Sequence, residues 1–309
     1  MSKKEQSEDE YLRQHLQDVD STNTVSNEPQ YVQAVEATRS AELKYFHYDV
    51  RELPCGKFYP TGTMFMVRPA VVKEIQAYSM VDDNNIYDVV EKMNDMLLSC
   101  VRVKYPDGKM GTYLDIKDQD RIYLIFVIRE LTFQQGNGLF ADTRCSCGND
   151  CKVELKRVNF RKHQIDEKFT NYFDDSKKSF QFKVKNGKKY ELTLPNIGIQ
   201  KAFTDYIIKE SNEKRPPNLS FLKVIPYLLN NASTISIEGI KAKLQEYENI
   251  DDISFQFLNS AVEKMTFGIK ELATNCSACG LEVHTEMVFP SGASGIFVIH
   301  DAFEAYLKK

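Results

Sequence analysis

The sequence predicts an α+β fold, with an N-terminal mixed α/β domain whose split four-cysteine site brackets an inserted β-hairpin plus helical domain. Three observations lead there. Alternating, strand-like stretches interleave with stretches of helical period over Tyr45–Leu131. Two cysteine clusters far apart in the chain match each other residue by residue, and the stretch between them passes from a hairpin pattern to a helical one.

The chain has 309 residues, 42% hydrophobic and 27% charged, which suits a soluble globular protein of two or three domains. Residues 1–44 are polar, hold 5 basic and 9 acidic side chains, and read as a disordered acidic arm with a short helical patch over Tyr31–Leu43. The arm therefore carries the whole net charge of −4, and the body has no bias toward nucleic acid. No apolar run nears the roughly 20 residues of a membrane span. The N-terminus has neither a secretory nor a transit pattern, so a cytoplasmic setting is expected.

Beyond the arm, residues 45–155 form the N-terminal α+β domain. "YFHYDVRELPCGKFYPTGTMFMVRPA" reads as a strand, a turn at Pro54, Gly56, Pro60 and Gly62, and a second strand over Met64–Arg68. Cys55 falls in that turn. Ile86, Val89, Val90, Met93, Leu97 and Cys100 recur at helical spacing behind an N-cap at Asn85, which puts Cys100 in the core. "CVRVKYPDGKMGTYLDI" is a hairpin turning on Asp107-Gly108. "DQDRIYLIFVIREL" is a buried helix capped by Asp118, with Asp120, Arg121 and Arg129 marking its ends.

Residues 156–275 read as the inserted hairpin and helical domain. A hairpin turns on Asn186-Gly187, and helices follow over Ile199–Glu210, Leu219–Asn230, Ile237–Tyr247 and Ile253–Met265. Residues 276–309 carry the second cysteine pair and a C-terminal segment.

The clusters "TRCSCGNDCKVEL" and "TNCSACGLEVHTEM" align with a one-residue gap: Cys145 with Cys276, Cys147 with Cys279, Gly148 with Gly280, Asp150 with Glu282, Cys151 with Val283. Two thiolates on a tight turn, followed by a glycine and a strand, form a zinc knuckle; two knuckles complete a closed, structural tetrahedron. Cys145, Cys147, Cys276 and Cys279 are the metal ligands of this zinc-ribbon-like reading, with Cys151 on the buried strand face beside Val153 and Leu155. Because the first pair is C-x-C, one residue short of the usual spacing, an arrangement with Cys151 in place of Cys145 stays open, as do metal-free buried thiols. His284 matches Lys152 and is left out. A redox pair fits less well, because "CSACG" leads into a strand rather than a helix.

No phosphate-loop, zincin or nucleophile-elbow motif occurs, and His15, His47, His163 and His300 pair with no nucleophile at a catalytic spacing, so no catalytic residue is assigned. The stretch 152–189 holds 12 basic and 5 acidic residues among six aromatics. It supports an alternative function, a zinc-ribbon protein binding single-stranded nucleic acid; the competing reading makes the aromatics a hairpin core.

"LPCGKFYPTG", "VRPAVVKEIQ", "DQDRIYLIFVIREL", the cysteine clusters and "IFVIHDAFEAYL" together give a chain that resembles the T4-like baseplate hub and hub-assembly proteins of contractile-tailed bacteriophages. The resemblance implies a non-enzymatic viral structural or tail-assembly protein, present in the host cytoplasm during assembly or in the virion baseplate. Its partners would be other hub or tail proteins rather than membrane or nucleic acid. The family's cysteine pairs fall on Cys145, Cys147, Cys276 and Cys279.

Overall fold

A computed structural model describes residues 44–133, 138–213, 222–229, 236–289 and 291–298. Residues 1–43 of the acidic arm, with its helical patch, and residues 299–309 of the C-terminal segment lie outside the described residues. The fold is α+β, and Tyr45–Lys309 clusters as one compact unit.

Strand β1 (Phe46–Tyr48) leads through two short 3-10 turns to β2 (Met64–Val67). Gly56 is required between them: a Cβ there would sit 2.2 Å from the Val50 carbonyl oxygen. Helix α1 (Val72–Ser79) starts where Glu74 accepts the Val71 N–H and pairs with the buried Arg68 at 2.6 Å. Helix α2 (Ile86–Cys100) is capped by Asn85, as its sequence predicts, and runs directly into β3 (Val101–Lys104) and β4 (Met110–Gly111). The four strands form an antiparallel sheet in the order β1-β2-β3-β4.

Helix α3 (Arg121–Thr132) is the central buried helix. Its charged residues stand at its ends, as the sequence suggests, but their partners are not the expected ones. Asp118 does not cap it but binds Arg121 at 2.6 Å. Asp120 and Arg129 do stand at its two ends, Asp120 just before Arg121 and Arg129 in the last turn, but both are almost fully buried because distant groups bind them. Asp120 accepts the Cys55 N–H at 2.8 Å and the Tyr59 O–H at 2.7 Å, while the Tyr59 oxygen accepts the Lys117 N–H at 2.8 Å. Burial raises the Asp120 carboxyl to about 6, pushes the Cys55 thiol up and holds the Lys117 ammonium below its ordinary value. Arg129 donates from Nε to the Ile296 carbonyl at 2.7 Å, tying the helix to the chain's last described segment. The resembling motifs thus meet each other inside the molecule.

Strands β5 (Phe140–Arg144) and β6 (Asp150–Glu154) form a hairpin, followed by β7 (Phe160–Lys162), the single turn α4 (Glu167–Thr170) and β8 (Phe173–Asp174). The expected hairpin on Asn186-Gly187 is β9 (Ser179–Lys183) with β10 (Lys189–Leu192), and β8 adds to its edge. Helix α5 (Ile197–Asn212) is capped by Asn196. Of the expected helix over Leu219–Asn230, residues 222–229 are described; they turn at Lys223 and Val224 and form the short helix α6 (Ile225–Leu228) rather than one continuous helix. Helices α7 (Ile237–Glu248) and α8 (Asp252–Lys264) are capped by Ser236 and Asp251. Strands β11 (Ile269–Asn275) and β12 (Glu282–Thr285) complete a three-stranded sheet, β12-β11-β7.

One hydrophobic core runs through residues 45–155, 156–275 and 276–298. Phe58 sits edge-on to Phe173 and Phe267 at 5.1 and 4.9 Å, and Phe297 meets Tyr78 at 4.9 Å. A separate small cluster holds only Cys145, Cys151, Cys276 and Val283.

Candidate metal centre

The two cysteine clusters come together as paired hairpin tips. Opposite Thr143 in the β5–β6 ladder lies Cys151, and opposite Thr274 in the β11–β12 ladder lies Val283. These are the residues the internal repeat matches, and Cys151 and Val283 are both buried in the small cluster beneath the tips. The sheets therefore repeat in space what the sequence repeats along the chain.

The turns differ by one residue, and the hydrogen bonds show where it goes. In the first tip, Gly148 donates to the Cys145 carbonyl at 2.9 Å, and Cys145 donates to the Asn149 carbonyl at 2.9 Å. In the second, Gly280 donates to the Cys276 carbonyl at 2.9 Å, one residue farther along, and Cys276 donates to Leu281 at 2.8 Å. Each glycine is left-handed, with φ of 90° and 76°. The first tip has the same bonding as the hairpins at Tyr105–Lys109 and Val184–Lys188, where Gly108 and Gly187 both have φ of 85°. C-x-C is thus an ordinary three-residue hairpin loop closed by a left-handed glycine.

This geometry gathers four thiols. Cys145 and Cys279 have sulfurs 3.5 Å apart, Cys147 and Cys276 have theirs 3.8 Å apart, and all four ligand atoms lie within 4.8 Å of one another. Four sulfurs about 2.3 Å from a central zinc would stand about 3.8 Å apart, so the set is close enough to hold a metal ion. The separations far exceed the ~2.05 Å of a disulfide, and all seven cysteines are free. Cys151 is not in the group; burial and the neighbouring Cys276 push its thiol up. His284 is also outside it, lying 3.3 Å from Glu271.

The backbone prepares the thiols for ionisation. The N–H groups of Cys279 and Ala278 point at the Cys276 sulfur and bring it down to about 6, against burial. The Cys147 N–H does the same for Cys145, whose thiol lies below its ordinary value. At Cys279 the Leu281 N–H pulls downward, but the thiols of Cys145, Cys147 and Cys276, with burial, outweigh it and raise Cys279 to about 12. Four thiols crowded together resist ionising together, which is the state a cation relieves. Sequence reasoning missed Asn149. Its side-chain N–H reaches Cys276 at 3.6 Å and Cys151 at 3.7 Å, bridging the two tips. Its counterpart in the repeat is Leu281, so the repeat gave no signal for it.

In the basic aromatic stretch, Phe160, Phe180 and Phe182 are buried, Phe169 and Phe173 pack against the core, and Tyr172 is exposed. Arg157, Arg161, Lys178 and Lys188 bind Glu130, Glu282, Asp175 and Asp251. Among the described residues, no helix is long and apolar enough to cross a membrane. No protein-family model, curated protein or solved structure matches the chain.

Proposed function

We propose that Cys145, Cys147, Cys276 and Cys279 bind one structural zinc ion, which clamps the two hairpin tips in a non-enzymatic assembly protein. The observation that carries this reading is the meeting of four sulfurs from two matched turns at separations suited to one ion. A thiolate-zinc site contributes on the order of 10 kcal/mol that is folding free energy as well as binding free energy. Here it would fasten the ends of the intervening segment 148–275 and fix the surfaces that segment presents. The biological setting we propose is the baseplate hub of a contractile phage tail, with other hub or tail proteins as partners. What supports that setting is the resemblance in sequence.

Elemental analysis of the purified chain should find about one zinc per chain. Paired replacement, Cys276→Ser with Cys279→Ser, should remove the metal and lower the melting temperature, while Cys151→Ala should keep the metal. Metal-free native protein, or a paired variant that melts unchanged, would overturn the clamp. The hub setting has its own test: the tagged chain, co-expressed with the genes that neighbour it, should co-purify with tail-hub proteins. Recovery of none of them would overturn the setting and leave the clamp standing.

A further inference from the structure

A cleft of about 490 Å³ lies between α2 and α5, away from the cysteines. Its lips include Ile86, Tyr87 and Ile208, which are 66%, 54% and 43% exposed. Three large apolar side chains around one opening form a patch that solvent covers poorly. Its lining also includes Asn94, 2% exposed, and Arg121. The Asn94 Oδ1 and the Arg121 Nε are both buried and, among the described residues, neither has a hydrogen-bond partner.

A buried acceptor and a buried donor on the walls of one cleft call for a group that donates and accepts together. The cleft's two cations are already paired, Arg121 with Asp118 at 2.6 Å and Lys201 with Glu91 at 2.9 Å, and Asp205 adds a third carboxylate to the lining. A carboxylate ligand would compete with Asp118 and face Glu91 and Asp205, while an ammonium has no acceptor to offer the Arg121 Nε. A carboxamide meets both needs without charge, and the broad χ2 torsion of asparagine lets Asn94 turn toward it at little cost.

We propose that the α2–α5 cleft docks a short uncharged segment of a partner protein, inserting an asparagine or glutamine carboxamide between Asn94 and Arg121 and laying apolar side chains on Ile86, Tyr87 and Ile208. The buried polar pair sets specificity, and the apolar lips supply most of the affinity. This goes beyond the zinc clamp and does not depend on it.

Panning a display library of random dodecapeptides against the full chain tests the proposal. The expected winners carry asparagine or glutamine flanked by apolar residues. Their binding should weaken roughly tenfold or more on Asn94→Leu, and likewise on Ile208→Asp, which alters only an exposed lip and spares the fold. No enrichment, winners without a carboxamide, or binding indifferent to Ile208→Asp would overturn it.

Discussion

At Asp120 a single carboxylate cross-links the loop before β2 to the start of α3, accepting from Cys55 and Tyr59 at once. Its burial raises the carboxyl to about 6, above the ordinary value near 3.9. The folded chain therefore takes up this proton before the unfolded chain does. The contribution to stability rises as pH falls from about 6 to about 4, and is lost as pH climbs back through that window; a shift of this size corresponds to roughly 3 kcal/mol. Asp120→Asn, which has no proton to exchange, should flatten the dependence of melting temperature on pH across the window. An unchanged slope would mean that the carboxyl titrates at its ordinary value. The sequence places Asp120 and Arg129 at the ends of the helix, where they are, yet does not show that they are buried. A charge near a helix end reads as solvated, and the partners that draw these two inward lie at residues 55, 59 and 296.

Among the elements, those with local signals were legible. The cap at Asn85 and the glycine turns at Gly108 and Gly187 stand where short-range pattern puts them, while the caps at Asn196, Ser236 and Asp251 were not singled out in the sequence. Helix α1 was not legible, because its first turn is held by a pairing of Glu74 with Arg68 rather than by a recognisable cap residue. The shortened cysteine pair looked defective only by comparison with longer knuckles; as a hairpin loop it is the same turn the chain uses twice elsewhere. That identity makes Gly148 the sensitive position. A Cβ there would meet nothing within 4 Å, so the cost of Gly148→Ala is one of backbone conformation alone, about 1–2 kcal/mol. Denaturant titration should show that loss together with weaker metal retention, and Gly148→Asn should recover part of both, since asparagine tolerates the left-handed region.

For the whole molecule, the internal repeat was visible in the sequence, while the shared core was not. Composition and turn signals divide the chain into successive segments, but Phe58 belongs sequentially to one and packs on Phe173, Phe180 and Phe267 of another. Such contacts leave no periodic trace in either segment. Phe58→Ala should cost about 3–5 kcal/mol and move a single cooperative unfolding transition to lower denaturant. Two separated transitions would show that the segments fold independently.

The split of the thiols along the chain also sets an order of events in time. Cys147 and Cys276 are 129 residues apart, so at typical synthesis rates the first tip waits on the order of ten seconds before the second exists. During that interval the proposed clamp has only two of its four thiols. The proposed clamp therefore closes only once the ribosome has passed residue 279, the last of its four cysteines.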